Sequence, residues 1–314
     1  MRARILNPPA DDPFAISTAQ WNAAVTRHRV ADIALCDSED AEILIAPPGI
    51  LARALPLSMP SLRMIFLTAS GPDRLMPFTW LPDGVLLVNN RGVHGRKVGD
   101  YVLMALLMLG HAMPQFAAAQ RAQIWAPRYT EGLRGKRVTI IGTGDLGHGA
   151  ARAAGTLGML VTGVNTNGHP VEDFAATVAV AALDTVLPTS DFLVLACPLT
   201  AATRGMLDRR RLGLLPSGAG LVNVGRGALL DTNALCDLLE AGQLGGAVCD
   251  VFDPEPIAPG DRLWTTRNMM ITPHVAADDP ATYNDDSLDI LFRNLAAWRA
   301  GNPLPNLVDL ARGY

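Results

Sequence analysis

The sequence predicts an α/β protein whose larger part is a doubly wound parallel sheet. The chain has 314 residues, which is enough for about two domains. Short apolar stretches alternate with helical patterns along most of its length, as in parallel sheets whose strands are joined by helices. Near the middle, residues 136–165 place a glycine-rich turn between an apolar strand and a helix. Together these three observations predict the fold class.

The first 96 residues are expected to form a smaller α/β domain. Proline- and glycine-rich turns separate its strand candidates, which are residues 4–6, 42–46, 62–67 and 85–88. Two loops follow the carboxyl ends of these strands, where open α/β sheets bind ligands. One contains Ser70 and Gly71, and the other is residues 89–92. Plain turn chemistry explains both loops equally well at this point.

A long apolar helix and an aromatic arm come next. Residues 97–120 are hydrophobic on nearly every side of the predicted helix, so we expect this helix to be buried in a core or against a partner subunit. The following segment, residues 121–133, carries Trp125, Pro127 and Tyr129. These side chains predict a dimer contact, and an arm packed on its own chain is the equal alternative.

The glycine-rich turn has the spacing of a dinucleotide-binding motif. After the strand at residues 138–141, Gly142, Gly144 and Gly147 form G-x-G-x-x-G. The first glycine permits a sharp turn, the second lets backbone approach a pyrophosphate, and the third lets the helix meet the strand. The helix then offers free N–H groups to the phosphates. Because a second strand follows at residues 160–164, we expect a Rossmann-type domain rather than a glycine-rich turn without a ligand.

Strands and helices continue to alternate until the end of the chain. After V-A-V and a helix around Leu183, the predicted strands are residues 192–196, 220–224, 246–250 and 269–272. A helix at residues 231–240 has Asp231 as its N-cap. The final helix, residues 282–300, is amphipathic and is expected to pack on the first domain.

These elements predict that one domain is inserted within the other. The doubly wound cofactor domain is expected to span residues 97–284. The smaller substrate domain is expected to combine residues 1–96 with residues 285–314. We expect a substrate to meet the cofactor in the cleft between the two domains.

Composition narrows the class of protein. The net charge is −4 and the two signs are mixed along the chain, so nothing predicts binding to nucleic acid or to an anionic membrane. The four cysteines lack the spacing of a metal site, and we interpret them as reduced thiols of a cytoplasmic protein. No secretion signal is visible at the start. The longest apolar block, residues 101–113, is too short to span a bilayer.

Three segments at the ends of late strands carry residues that suit chemistry on a carbonyl. Arg226 lies in N-V-G-R-G, Asp250 and Glu255 lie in D-V-F-D-P-E-P, and His274 lies in T-P-H-V-A. Each alone has an ordinary structural explanation. After a dinucleotide fold, the set suits hydride transfer, with His274 as general acid and base, Glu255 favouring its imidazolium, and Arg226 orienting the substrate.

At this point the sequence resembles the D-isomer-specific 2-hydroxyacid dehydrogenases, which include glyoxylate/hydroxypyruvate reductases. The motifs G-T-G-D-L-G, C-P-L-T-A-A-T, G-L-V-N-V-G-R-G-A-L-L-D, D-V-F-D-P-E-P and T-P-H-V-A occur in the family's order. The resemblance implies a catalytic triad of Arg226, Glu255 and His274. It also implies a flavodoxin-like substrate domain and a homodimer built on the cofactor domains.

The resemblance assigns binding residues as well. The substrate carboxylate would be held by the backbone of Ser70 and Gly71, beside Arg226 and His274, and Asp250 would contact the nicotinamide carboxamide. The cofactor residues implied are Gly142, Gly144, Asp145, Leu146, Gly147, Asn165, Thr166, Asn167, Cys197, Pro198, Thr203, Val224 and Asp250. No metal ligand is implied. The expected reaction is reduction of a small 2-keto acid to the D-2-hydroxy acid with NAD(P)H.

Two departures and two alternatives accompany this reading. Asp100 stands where relatives often have glutamate, and S-G-P-D stands where many have A-G-V-D, which leaves substrate size open. A nucleotide-sensing, corepressor-like protein of the same fold is one alternative. A methyltransferase that uses S-adenosylmethionine is the other, although the late histidine and glutamate argue against it.

The end of the second strand bears on the choice between NAD and NADP. An NAD enzyme usually has an acidic residue there to bind the ribose 2′-hydroxyl, and this chain has Asn165. Without a carboxylate nothing repels a 2′-phosphate, and Thr166, Asn167 and His169 can hydrogen-bond to one. Residues 165–172 contain no arginine, so the expected preference for NADP is small.

We therefore predict that kcat/KM is higher with NADPH than with NADH. The reason is that Asn165 removes the charge repulsion that excludes a 2′-phosphate. Steady-state rates with both cofactors and one keto acid measure the ratio. A preference for NADH of about tenfold, equivalent to about 1.4 kcal/mol, would contradict this prediction.

Overall fold

The computed structural model describes residues 1–314. Its backbone forms two compact units. One combines Met1–Val93 with Asp279–Tyr314, and the other is His94–Asp278. The positions at which the sequence predicted the crossings, Arg96 and Asp285, lie in the first turns of two helices.

The first unit is built on a five-stranded sheet in which every strand pair is parallel. Its strands are β1 (Arg2–Ile5), β2 (Ala34–Leu35), β3 (Ile43–Ala46), β4 (Met64–Leu67) and β5 (Leu86–Val88). Their order across the sheet is β2-β1-β3-β4-β5. All residues of β3 and β4 are buried, because central parallel strands are covered on both faces. The sequence did not predict β2, since two residues carry no periodicity.

Three helices belong to the first unit: α1 (Thr18–His28), α2 (Pro48–Ala54) and a C-terminal helix (Tyr283–Arg299). A capping box starts α1, in which Ser17 accepts from the backbone of Gln20 and the Gln20 side chain accepts from the backbone of Ser17. The C-terminal helix packs on α1, where the rings of Trp21 and Phe292 lie 5.4 Å apart. The prediction that the final helix returns to the first domain is confirmed.

The second unit contains a seven-stranded sheet whose paired strands are again all parallel. Its strands are β6 (Arg137–Ile141), β7 (Leu160–Asn165), β8 (Ala176–Ala179), β9 (Phe192–Leu195), β10 (Gly220–Asn223), β11 (Gly246–Cys249) and β12 (Met269–Ile271). They lie in the order β12-β11-β10-β9-β6-β7-β8. The order reverses beside β6, which makes this sheet the doubly wound fold that the sequence predicts.

Six helices accompany this sheet: α3 (Gly95–Gly110), α4 (Met113–Arg121), α5 (Asp145–Thr156), α6 (Leu183–Val186), α7 (Arg209–Leu212) and α8 (Thr232–Glu240). Asp231 caps α8 as predicted, because its side chain accepts from the backbone N–H of Ala234 at 2.9 Å. Two apolar clusters of buried side chains cover the sheet.

The prediction of one helix over residues 97–120 is wrong. Helix α3 ends at Gly110 and α4 begins at Met113, with a bend of 66° between them. The reason is Pro114, which has no N–H to donate to the carbonyl of Gly110 and whose ring would clash in a continuous helix. Ala112 takes the left-handed conformation, with φ of +55°, at the break.

Within one chain, helix α3 is buried along one side only. Val98, Val102 and Leu106 face the core, whereas Met104 and Leu107 are exposed. By length and composition no single helix is suited to crossing a membrane. Only α3 and α4 taken together pass such a test, as a bent pair.

Helices α3 and α5 approach each other closely at two glycines. A Cβ on Gly149 would lie 2.1 Å from the carbonyl oxygen of Gly95. A Cβ on Gly95 would in turn lie 2.4 Å from a carboxylate oxygen of Asp145. The distance at Gly149 is to backbone and is far below van der Waals contact, so only glycine permits this spacing there. Because α5 carries the glycine-rich turn at its start, this contact helps to place that turn.

We predict that Gly149→Ala lowers stability by about 1–3 kcal/mol, because the added methyl forces two backbones apart. Gly155→Ala on the same helix is the matched control, since its Cβ would meet nothing within 4 Å. That control should gain roughly 0.5–1 kcal/mol from helix propensity. Thermal unfolding of both variants measures the difference. Equal shifts in Tm would show that the close approach does not limit stability.

Candidate active site

The glycine-rich turn joins β6 to α5. Gly142 has φ of +102°, and a Cβ on Gly147 would lie 2.0 Å from the carbonyl oxygen of Gly142, so both positions require glycine. The first N–H bonded within α5 is that of His148, which donates to the carbonyl of Gly144 at 2.8 Å. The three preceding N–H groups have no acceptor inside the helix. This cradle of backbone donors fits a dinucleotide pyrophosphate.

The remaining residues of the turn contribute mainly backbone. The Asp145 side chain faces the start of α3, where Oδ2 accepts from the backbone N–H of His94 at 3.1 Å. Leu146 packs against the apolar cluster under α5. Gly144 serves as N-cap of α5 without a side-chain cap. The helix N-terminus thus offers N–H groups to an anion without side-chain competition from its own N-cap.

Asn165 ends β7 and organises the turn that follows it. Its Oδ1 accepts from the backbone N–H groups of Asn167 at 3.3 Å and Gly168 at 2.6 Å, and its Nδ2 donates to the carbonyl of His169 at 2.9 Å. The adjoining Thr166 is exposed. The side chain that replaces the usual acidic residue is therefore engaged in shaping its own loop.

Hydrogen bonds within the C-P-L-T-A-A-T segment after β9 hold it in a compact turn. Thr203 donates from Oγ1 to the carbonyl of Pro198 at 2.8 Å and accepts from the backbone N–H of Thr200 at 2.8 Å. Burial raises the pKa of Cys197 to about 12, so this thiol stays neutral. Val224, at the end of β10, is buried too. Cys197 and Val224 can line a ligand site as apolar groups rather than as charged ones.

Three neighbouring strands end at the same level of the second sheet. The register pairs Asn223 of β10 with Cys249 of β11, and Cys249 with Ile271 of β12. The ladder continues one step further, because the N–H of Asp250 donates to the carbonyl of Asn223 at 3.0 Å. The N–H of Thr272 likewise donates to the carbonyl of Cys249 at 3.1 Å. The three segments singled out in the sequence therefore begin side by side.

His274 and Glu255 are in direct contact. The Nδ1 of His274 lies 2.8 Å from Oε2 of Glu255, while Oε1 of Glu255 accepts from the backbone N–H of Phe252 at 2.9 Å. A carboxylate only accepts, so Nδ1 carries the proton in this contact and Nε2 is the nitrogen left for a substrate. The His274 side chain is 41% exposed and that of Glu255 is 22% exposed. Glu255 thus orients the imidazole through Nδ1, and the His274 side chain remains partly exposed to solvent.

Asp250 holds the turn that carries His274. It is 2% exposed, and its Oδ1 accepts from the backbone N–H of Val275 at 2.9 Å and from Oγ1 of Thr272 at 2.5 Å. Its Oδ2 accepts from the backbone N–H of Ala276 at 2.9 Å, and its carbonyl accepts from the N–H of His274 at 2.8 Å. Both carboxylate oxygens therefore accept bonds from the chain itself.

His274 has an unusual backbone conformation, with φ of +57°. For a residue other than glycine the left-handed region costs on the order of 1–2 kcal/mol. The hydrogen bonds to Asp250 offset that cost, and they hold the imidazole at the end of β12. Such outliers concentrate at functional sites, because only a strongly determined local structure retains them.

Arg226 lies in a turn that presses against the Glu255 loop. Asn223 clamps this turn, since its Oδ1 accepts from the N–H of Gly225 at 3.1 Å and its Nδ2 donates to the carbonyl of Arg226 at 3.0 Å. Nη1 of Arg226 donates to the carbonyl of Gly225 at 2.8 Å. A Cβ on Gly227 would lie 2.0 Å from the carbonyl carbon of Phe252. The arginine turn and the loop that holds Glu255 are therefore packed backbone to backbone.

Ser70 and Gly71 lie in the first unit, in a loop after β4. Ser70 donates from Oγ to the carbonyl of Asn90 at 3.1 Å, and its own carbonyl accepts from Nδ2 of Asn89 at 3.0 Å. The N–H of Asn90 donates to the carbonyl of Ala69 at 3.1 Å. The two loops noted in the first 96 residues are thus joined by hydrogen bonds at one edge of their sheet.

Sequence reasoning missed two residues that shape these loops, Asn223 and Thr272. Each is the first letter of a motif that was noted for a later residue, N-V-G-R-G and T-P-H-V-A. An Asn or Thr at a strand end that precedes a turn is a recognisable signal for side-chain bonds to backbone. No group of three or more His, Cys, Asp or Glu side chains is placed to hold a metal ion.

Comparison with known proteins decides the family. Residues 103–276 match the family model described as D-isomer specific 2-hydroxyacid dehydrogenase, NAD binding domain. The chain belongs to this family. As a member of the D-2-hydroxyacid dehydrogenases it is an oxidoreductase that uses NAD(P), and His94–Asp278 is its Rossmann NAD(P)-binding unit. Membership contradicts the methyltransferase alternative.

Relatives of this 2-hydroxyacid dehydrogenase include glyoxylate reductases. The glyoxylate reductase of Thermococcus kodakarensis is 30% identical over 261 residues, which cover 80% of this chain and 77% of that one. A 2-hydroxyacid dehydrogenase of Xanthobacter autotrophicus, solved with NADPH and MES, matches at a TM-score of 0.82 and 28% identity, covering 99% of this chain and all of that one. The NADPH-dependent glyoxylate/hydroxypyruvate reductase of Sinorhizobium meliloti, solved with NADP and sulfate, matches at 0.80 and 25%, covering 100% and 99%.

Proposed function

We propose that this enzyme reduces a small 2-keto acid of the glyoxylate or hydroxypyruvate kind to the corresponding D-2-hydroxy acid. The observation that carries the proposal is the 2.8 Å contact between His274 and Glu255 at the carboxyl end of the second sheet, beside the Arg226 turn. The names of the similar proteins support the substrate class, because several of them are glyoxylate reductases.

In the proposed mechanism His274 transfers the proton. A bound nicotinamide cofactor supplies the hydride. As negative charge grows on the substrate oxygen, Nε2 of His274 donates its proton there and the imidazole becomes neutral. Glu255 holds the ring through Nδ1 and stabilises the imidazolium before transfer with a charge-assisted hydrogen bond. In the reverse direction the same nitrogen accepts the hydroxyl proton.

The substrate carboxylate needs donors, and the chain offers two kinds. Arg226 can donate two parallel hydrogen bonds to a carboxylate or polarise the carbonyl. The backbone N–H groups of Ser70 and Gly71 are the second kind of donor. The hydrogen bonds between Ser70 and the Asn89–Asn90 pair keep that loop in one conformation, which reduces the entropy lost on binding.

For the cofactor we propose NADP ahead of NAD. The support is the turn after β7, where Asn165 brings no negative charge and its Oδ1 is bonded to the backbone of Asn167 and Gly168. Thr166 and Asn167 are exposed in that turn and would donate to a 2′-phosphate. Two structures that resemble this chain were solved with NADP or NADPH.

We predict that purified enzyme oxidises NADPH when glyoxylate or hydroxypyruvate is added, as followed by the loss of NADPH absorbance. His274→Gln should lower kcat by about 10²–10⁴-fold, because general acid catalysis contributes that much. Cofactor binding should remain nearly intact, since glutamine keeps the size and a hydrogen bond. Exposed His111 provides the control variant, His111→Gln, which should keep full activity.

The same panel should include longer 2-keto acids and the D- and L-2-hydroxy acids in the reverse direction. Turnover of the L isomer alone would contradict the proposed stereochemistry. Binding of NADPH without turnover of any keto acid would favour the nucleotide-sensing, corepressor-like alternative. Full activity in His274→Gln would remove this residue from the mechanism.

We also propose that the enzyme is a cytoplasmic homodimer that uses the second unit as its interface. Trp125 and Tyr129 are each 96% exposed in the arm after α4, and Met104, Leu107 and Met113 are exposed nearby in sequence. Such apolar side chains favour a protein contact over solvent. All four cysteines are free thiols, which suits the reducing cytoplasm.

Accordingly, size-exclusion chromatography with light scattering should give twice the chain mass of 33.3 kDa. The double variant Trp125→Ala with Tyr129→Ala should shift the population toward monomer, because aromatic anchors carry much of an interface's energy. Trp264→Ala is the control, since this exposed tryptophan lies outside the arm. A monomeric wild-type protein at micromolar concentration would contradict the dimer.

A further inference from the structure

Helix α3 is linked to the His274 turn by a short chain of hydroxyl groups. The hydroxyl of Tyr101, on α3, lies 2.6 Å from Oγ1 of Thr272. Oγ1 of Thr272 lies 2.5 Å from Oδ1 of Asp250. The same carboxylate accepts from the backbone N–H groups of Val275 and Ala276, which flank His274 on its carboxyl side. Tyr101 is 173 residues from His274 in sequence and three hydrogen bonds from its turn in space.

The direction of the two hydroxyl bonds follows from the acceptor at their end. A carboxylate without a proton cannot donate, so Thr272 gives its single hydroxyl proton to Asp250. The oxygen of Thr272 must then accept from Tyr101. Burial raises the pKa of Tyr101 to about 12. The hydrogen bond with Thr272 lowers this pKa and the nearby charge of Asp250 raises it, but burial has the largest effect. The phenol therefore keeps its proton. The chain therefore runs from Tyr101 through Thr272 to Asp250.

This series of hydroxyl groups ends at Asp250, a carboxylate that also accepts two backbone N–H groups. Asp250 is buried, and a buried polar side chain needs hydrogen-bond partners. Its bonds also keep His274 at φ of +57°, a conformation that is uncommon for residues other than glycine. If the Thr272 side chain took another rotamer, Asp250 would lose one hydrogen-bond donor and would be held less firmly in its orientation. The backbone of His274 could then leave the left-handed conformation.

We infer that Tyr101 and Thr272 are positioning residues for the proton transfer. They act through Asp250, which they orient so that it holds the His274 turn in its productive conformation. The inference rests on the proposed function, in which His274 is the acid and base. Neither residue touches the reacting atoms in this account, and their effect is expected on kcat rather than on the binding of cofactor.

The test compares variants that remove one hydroxyl each without changing shape. Tyr101→Phe should lower kcat about threefold to tenfold, the effect of one lost hydrogen bond. Thr272→Val should lower kcat about tenfold or more, because it also leaves the Tyr101 hydroxyl and a carboxylate lone pair unpaired. Thr272→Ser should restore most of kcat, since serine keeps the hydroxyl. The Kd for NADPH and the KM for glyoxylate should stay close to the wild-type values.

The double variant tests whether Tyr101 acts through Thr272. If it does, Tyr101→Phe combined with Thr272→Val should have nearly the kcat of Thr272→Val alone. Thr139→Val is the matched control, because Thr139 forms a buried hydroxyl pair with Ser190 at 2.6 Å elsewhere in the same unit. It should lower Tm by a similar amount and leave kcat unchanged.

Three results would overturn the inference. One is a kcat in Tyr101→Phe and Thr272→Val that equals the wild-type value although Tm falls. Another is independent, multiplicative losses in the double variant. The third is weaker NADPH binding at unchanged kcat, which would assign the chain of hydroxyls to the cofactor. An inactive wild-type enzyme, or an active His274→Gln, would instead contradict the proposed function itself.

Discussion

The buried carboxylate of Asp250 is the interaction on which the rest of the site depends. The Asp250 side chain accepts hydrogen bonds from two backbone N–H groups and a hydroxyl, and the backbone carbonyl of Asp250 accepts one from the N–H of His274. These bonds give both oxygens of a buried carboxylate hydrogen-bond partners and keep His274 in a left-handed conformation. The position of the imidazole is therefore determined by a residue that lies 24 positions earlier.

Asp250 can do this because β10, β11 and β12 are parallel neighbours in register. Parallel pairing brings the carboxyl ends of successive strands to one edge, so the loops that follow them begin at one level. The Arg226 turn follows β10, the Glu255 loop follows β11, and the His274 turn follows β12. Hydrogen bonds from Asn223 and the close approach at Gly227 then press the first two loops together. Ordinary sheet geometry thus places a histidine–glutamate pair beside an arginine turn.

Much of the fold could be predicted because it rests on local signals. The apolar runs of β3, β4, β9 and β10 are buried on both faces, and the three glycines of the nucleotide turn each have a steric need that their spacing reveals. The prediction of one helix over residues 97–120 was wrong for a local reason as well. Pro114 was present in the sequence, but the apolar pattern on either side of it dominated the prediction. The short β2 strand depends on its neighbour β1 and has no pattern of its own.

By itself the sequence determined the doubly wound sheet, the glycine-rich turn and the identity of the residues with suitable chemistry, because periodicity, steric need and functional groups are properties of short segments. Only the tertiary structure decided which of those groups meet. The 2.8 Å contact of His274 with Glu255, the orientation of Asp250 toward the turn rather than outward, and the reach of Tyr101 to Thr272 all join residues that are distant in the chain. Such contacts follow from strand register and helix packing, which no single segment encodes.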